Sequence, residues 1–248
     1  MPPSKSISKR QSNSLYRLMK FIHDACTEAG IQYWIFGGTL LGAVRHQGLI
    51  PWDDDGDIAI MQKDKKRFES LRKKFEDNGY DFDNSPDDDD EPCISKGTCS
   101  YIITGRKKGD LGCDVFFMKS SKDMITYADP FWEDSDNGGG RCAFVKNHVF
   151  PLVPIRFGNF FLFAPNNPIF HLNSCYGDDW NSSSQMLYNH RSGKWGSGKK
   201  HKMKPFEFST PKPPKDTCDP IPPQISCEII KKIRIGRKKS RRKSRKGF

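Results

Sequence analysis

The most constraining stretch of this chain is FGGTLLGAVRHQGLIPWDDDGDIAI, residues 36–60, where an apolar segment runs into paired glycines and a carboxylate pair follows close behind. Residues 31–36 are apolar, aromatic and β-branched, which predicts a strand; Gly37-Gly38-Thr39 predicts a turn and residues 40–45 a short helix. In Asp55-Gly56-Asp57-Ile58-Ala59-Ile60-Met61 carboxylates alternate with small or apolar residues, the pattern of a second strand. A strand repeats its side-chain direction every second residue, so Asp55 and Asp57 share a face.

The rest of the chain supplies more of both element types. Leu15, Leu18, Met19, Ile22, Cys26 and Ala29 recur at helical spacing, with Ser12 to Ser14 as candidate caps and Gly30 as the stop, predicting a helix over 14–29. A second helix is expected over 64–77, opened by Asp64, buried along Phe68, Leu71 and Phe75, and ended by Gly79. SYIITG and LGCDVFFM read as strands, the latter carrying Asp114, and DMITYAD as another. The acidic run 87–91 and DSDNGGG read as loops; VFPLVPIRFGNFFLFAP reads as two strands turning at Gly158-Asn159, with a short helix after Pro168. No solenoid or propeller repeat appears, so the fold class is α/β (α+β).

Length favours one domain with decorations. At 35% hydrophobic residues the chain is poor in core formers for its 248 positions, and from about 190 onwards Gly, Ser, Lys and Pro dominate, where burial cannot offset ordering entropy. The expected division is a disordered leader over 1–12, one folded domain over 13–189, and a mostly disordered, low-complexity Pro/Lys-rich tail over 190–248 that ends in a basic cluster. Charge follows the same division. Eleven of the 41 Lys and Arg lie in 231–248 with no acid among them, leaving 30 residues of each sign elsewhere, so the formal charge of +11 belongs to the tail. That basic end has the density of a tether for nucleic acid or anionic membrane.

The eight cysteines include no CxxC and no paired Cys/His spacing of a zinc finger, which argues against structural zinc. With no apolar signal segment and no run of 18 apolar residues, neither export nor a transmembrane segment is expected. The cysteines then read as reduced thiols and the location as cytoplasmic, or nuclear through the basic tail.

Paired glycines alone are usually a turn, and an Asp-rich run alone is usually a solvated loop. Together they describe a site. Asp55 and Asp57 offer clustered oxygens to a hard cation, Mg²⁺ or Mn²⁺, and Asp114 on a further strand completes a set of three if that strand pairs alongside. The Gly37-Gly38-Thr39 turn lets backbone N–H groups at a helix start approach a phosphate, and Arg45 and His46 are candidates to meet donor charge. Asp53 and Asp54 are candidates to support the loop.

GTLLGAVRHQGLIPWDDDGDIAI strongly resembles the LicD family, which includes bacterial phosphocholine transferases and fukutin-type ribitol-phosphate transferases. The resemblance continues through GCDVFFM and VFPLVPIRFGNFFLFAPNNPIFHLNSCYGDDW, covering roughly residues 14–181. It implies a polymerase-β-like nucleotidyltransferase fold, a mixed sheet with flanking helices, with Asp55 and Asp57 as the metal pair and Asp114 as the third carboxylate. It also implies transfer of a phospho-alcohol from a CDP-activated alcohol donor to a glycan or glycoconjugate acceptor. Tyr176, Asp178 and Trp180 fall in the element resembling the family's closing motif, where packing is expected of them. Gly56 departs from the pattern, since an apolar residue usually separates the two aspartates. The alternatives are nucleotidyl transfer to another substrate, a degenerate transferase that binds without turnover, and a non-catalytic basic nucleic-acid-binding protein.

Overall fold

The computed structural model describes residues 6–84, 100–133, 142, 144–184, 188–189, 194–195 and 199–219. The acidic run 87–91, the DSDNGGG loop and the basic cluster 231–248 lie outside them.

Helix α1 (Lys9–Glu28) starts five residues before the predicted 14, because Ser8 rather than Ser12 or Ser14 caps it. The Gln11 amide donates to Ser8 Oγ at 3.2 Å, and the Ser8 amide donates to Gln11 Oε1 at 3.0 Å. This reciprocal pair satisfies two otherwise orphaned donors and is worth about 1 kcal/mol. Ile7 is buried and its amide donates to Pro51 O at 2.8 Å, so the expected leader is structured from residue 6. Gly30, at φ +65°, ends the helix as the sequence predicts.

Seven strands make one mixed sheet: β1 (Tyr33–Ile35), β2 (Asp55–Met61), β3 (Tyr80–Asn84), β4 (Tyr101–Gly105), β5 (Gly112–Ser121), β6 (Met124–Tyr127) and β7 (Phe144–Val145). The order is β1-β2-β5-β4-β3, and β6 joins the second half of β5 and carries β7. Only β2 and β5 run parallel among these pairs. Alternation then builds two cores. Tyr33, Ile35, Ile58, Ile60, Val115 and Phe117 face α1 and its Leu15, Met19 and Ile22, while Trp34, Ala59, Phe116 and Met118 face the other way with Ile125 and Phe144. Both faces of the sheet are therefore covered.

Helix α2 (Gly37–Arg45) includes the paired glycines in its first turn. The helix predicted over 64–77 is two, α3 (Lys65–Glu69) and α4 (Arg72–Asp77). Ser70 Oγ, donating to Arg67 O at 2.7 Å, offers the backbone a local alternative at the break. Phe68 and Phe75, on either side of it, both reach Phe82, at 5.3 and 5.6 Å between ring centres. Short helices α5 (Pro130–Glu133) and α6 (Lys146–Val149) follow, then a hairpin of β8 (Val153–Phe157) and β9 (Phe160–Ala164) turning at Gly158-Asn159 as predicted, and helix α7 (Pro168–Tyr176) capped by Asn167.

The tail expected to be mostly disordered is not so at residues 199–219, which lie back over the domain. Tyr16 Oη donates to Pro211 O at 2.9 Å, Thr210 Oγ1 donates to Leu49 O at 2.8 Å, and Thr217 Oγ1 donates to Asn159 Oδ1 at 2.8 Å. This segment is anchored largely by polar contacts, so a reckoning of apolar burial overlooks it. Nor are all cysteines reduced, since Cys142 and Cys175 form a disulfide across 33 residues of sequence.

Candidate active site

The parallel pairing of β2 and β5 sets Asp57 beside Asp114 and Asp55 beside Gly112. Because Asp55 and Asp57 share a face with Asp114, one carboxylate oxygen from each can converge, and the three lie within 4.8 Å of one another. All three side chains are half-buried. The sequence expected this triad only on the condition that the two strands pair, and they do.

Helix α2 abuts the cluster. A Cβ on Gly37 would stand 2.9 Å from Asp57 Oδ2, and one on Gly38 would stand 2.6 Å from Asp53 Oδ2. Gly37 also adopts φ +55°, a conformation that other residues resist. The glycines thus admit carboxylates to the positive end of the helix, whereas sequence reasoning had reserved that approach for a phosphate. Thr39 works from the same turn: its Oγ1 accepts from the Asp57 amide at 2.8 Å, tying the carboxylate strand to the helix.

Like charges gathered out of water are costly, and the carboxyls register it. Burial, then Asp55 and Asp114, push Asp57 well above the usual carboxylate range. Burial, then Asp55 and Asp54, raise Asp53 likewise, against a smaller opposing pull from Arg45. Such a cluster is held at a cost unless cationic charge joins it, and an all-oxygen set of this spacing suits a hard divalent cation. Asp53 therefore feels the charge of Asp55 and Asp54 beside it.

Arg45 and His46 make hydrogen bonds to chain segments far along the sequence. Both are buried; Arg45 Nη1 donates to Trp180 O at 2.7 Å and to Ser183 O at 2.9 Å, while His46 Nε2 lies 3.0 Å from Glu207 O. Their position at the C-terminal end of α2 points them at chain segments that return late in the sequence. Tyr176 ends α7 half-buried, and its phenol is raised by burial and then by Asp57 and Asp53. Trp180 packs as expected, its Nε1 donating to Asn173 Oδ1 at 2.7 Å, and Asp178 is exposed.

The family described as LicD/FKTN/FKRP, nucleotidyltransferase domain, matches residues 30–167, which include every carboxylate of the cluster. The chain belongs to the LicD family. The Uncharacterized protein RT0683 of Rickettsia typhi is 36% identical over 171 residues, 68% of this chain and 48% of that one. Ribitol 5-phosphate transferase FKRP of Homo sapiens is 26% identical over 159 residues, 62% of this chain and 29% of that one. Lipopolysaccharide cholinephosphotransferase LicD of Haemophilus influenzae is 43% identical over 51 residues, 21% of this chain and 19% of that one. The chain thus spans about half the length of the Rickettsia typhi protein and less of the other two. No helix among the described residues is long and apolar enough to cross a membrane.

Proposed function

We propose that this chain transfers a phospho-alcohol, such as phosphocholine, ribitol phosphate or glycerol phosphate, from a CDP-activated donor to a glycan hydroxyl, with Mg²⁺ or Mn²⁺ held by Asp55, Asp57 and Asp114. The observation that carries the reading is the convergence of those three carboxylates on paired parallel strands beside the glycine turn of α2. The names of two relatives, a ribitol 5-phosphate transferase and a cholinephosphotransferase, support the class of group moved.

In this reading the acceptor oxygen attacks the phosphorus that bears the alcohol, the bridging P–O bond breaks, CMP leaves, and the hydroxyl proton is released. A divalent cation bound there supplies charge neutralisation of the diphosphate. Asp55 and Asp57 hold their oxygens on one face for that purpose, and Thr39 fixes the strand beneath Asp57. In the same reading Asp114 also takes the hydroxyl proton. Gly37 and Gly38 keep the first turn of α2 open to close approach.

The test is release of CMP from CDP-choline, CDP-ribitol and CDP-glycerol, with Mg²⁺ or Mn²⁺ and a glycan library, by the intact protein and by Asp55→Ala/Asp57→Ala. Metal-dependent release lost in the double variant is expected. Folded, metal-binding protein that releases CMP from none of the donors would overturn the reading and favour a different nucleotide donor.

A further inference from the structure

A second cluster of ligating atoms shares no residue with the carboxylates. His171 and Cys175 are four residues apart on α7, hence on one face of that helix, and Cys142 arrives from just before β7. One ligand atom from each of the three lies within 4.8 Å of the others, and His171 Nε2 is 3.3 Å from Cys175 Sγ. The imidazole is buried and held between rings, 4.7 Å from Phe144 and 6.4 Å from Phe36, so its direction toward the sulfurs is fixed by packing. Both cysteines are half-buried, which leaves water a path to the sulfurs.

The structure shows the two sulfurs joined as a disulfide. A disulfide has no need of an imidazole. Two thiolates and a neutral imidazole, by contrast, are a donor set characteristic of zinc, and they differ in kind from the oxygens of Asp55, Asp57 and Asp114. We infer that Cys142, His171 and Cys175 form a zinc site in the reduced protein, with water as the fourth ligand, and that the disulfide is the oxidised, metal-free form of that site. Its interconversion is balanced. A dithiol reductant gives two electrons and two protons to the S–S bond and leaves as its own disulfide; Zn²⁺ then displaces the two thiol protons and binds the sulfurs.

The location gives the site a use that does not depend on the identity of the donor substrate. Bound metal fastens the β7 edge to α7, whose last residue is Tyr176, and His171 leans on Phe36, the residue that opens α2. The zinc site and the disulfide therefore fasten the same two elements next to the carboxylates, in two redox conditions. The sequence concealed the set because one cysteine lies 33 residues from the other rather than in a CxxC.

The experiment treats the protein with a dithiol under argon, removes metal with a chelator, and titrates Co²⁺, whose thiolate charge-transfer band reports sulfur ligation. A band that saturates at one equivalent, persists in Asp55→Ala/Asp57→Ala, is lost in Cys142→Ser/Cys175→Ser and is displaced by Zn²⁺ is expected. A measurement that needs no variant runs beside it: Zn²⁺ should slow alkylation of Cys142 and Cys175, read peptide by peptide, and leave the exposed Cys218 unaffected. Reduced, folded protein with both thiols countable but no cobalt band and no protection overturns the inference. So does a disulfide that the dithiol leaves intact in the folded chain.

Discussion

Replacing Gly56 by alanine should destabilise the protein by overpacking and leave the carboxylate site working. Gly56 lies between Asp55 and Asp57 but points to the opposite face of β2, toward α1. A Cβ there would stand 2.7 Å from Met19 Sδ and 3.5 Å from Cys113 Sγ. Ordinary contact with sulfur needs roughly 1 Å more than the first distance, and Met19 is fully buried, so it must turn inside a closed core. Overpacking of this kind costs about 1–3 kcal/mol, and the three torsions of methionine favour the lower end, about 1 kcal/mol. Met19→Ala alone should cost about 2–5 kcal/mol through lost burial and a cavity. In the double variant the added methyl enters that cavity, so the total should fall short of the sum by about 1 kcal/mol. Urea unfolding followed by circular dichroism measures the cycle. Additivity within about 0.5 kcal/mol would show that the two side chains do not compete for one space, and the reasoning would fail. The same result decides how to read the departure from the family pattern: in this chain Met19 fills the room that an apolar residue between the aspartates would take, and CMP release by Gly56→Ala should stay near that of the parent.

Gly38→Ala should behave oppositely, keeping the fold while driving Asp53 from the first turn of α2, so that CMP release falls and Mn²⁺ affinity, read by titration calorimetry, weakens; unchanged affinity would detach Asp53 from the cluster. Thr39→Val leaves the Asp57 amide without its acceptor and should cost about 1–3 kcal/mol in urea unfolding, with a parallel loss of metal affinity. Tyr16→Phe removes the acceptor for the Leu49 amide at 3.1 Å and the donor to Pro211 O, and should make residues 199–219 cleavable under limited proteolysis that spares the parent. Asp216 is held below its ordinary range by its hydrogen bond from Arg17 at 2.8 Å. A depressed folded-state value means that any stability it lends is present above the ordinary carboxylate range and disappears as pH falls through the folded value. Arg17→Ala should move the Asp216 midpoint, followed by NMR, back up, and an unmoved midpoint would refute the pairing.

What the sequence disclosed and what it hid differ by the range of the interaction responsible. The alternation in β2 exposed Asp55 and Asp57 because direction on a strand depends on parity alone, and β2 runs over the residues expected of it. Asp114 could be placed on a strand but not next to Asp57, since a strand pattern says nothing of its partner; the parallel register supplied that step. The start of α1 was missed through Ser8-Gln11, a reciprocal cap lying ahead of the apolar stripe. The partners of Arg45 and His46, and the partner of Tyr16 within the 199–219 segment, could not be read from the sequence for one shared reason: they lie more than a hundred residues away and are backbone carbonyls, which carry no residue-type signature. The candidate site was legible because it breaks the rules that stability favours. Crowded carboxylates and glycines at the start of a helix both cost free energy, so their coincidence on neighbouring elements stands out in the sequence, whereas a well-satisfied segment such as residues 199–219 gives no such sign.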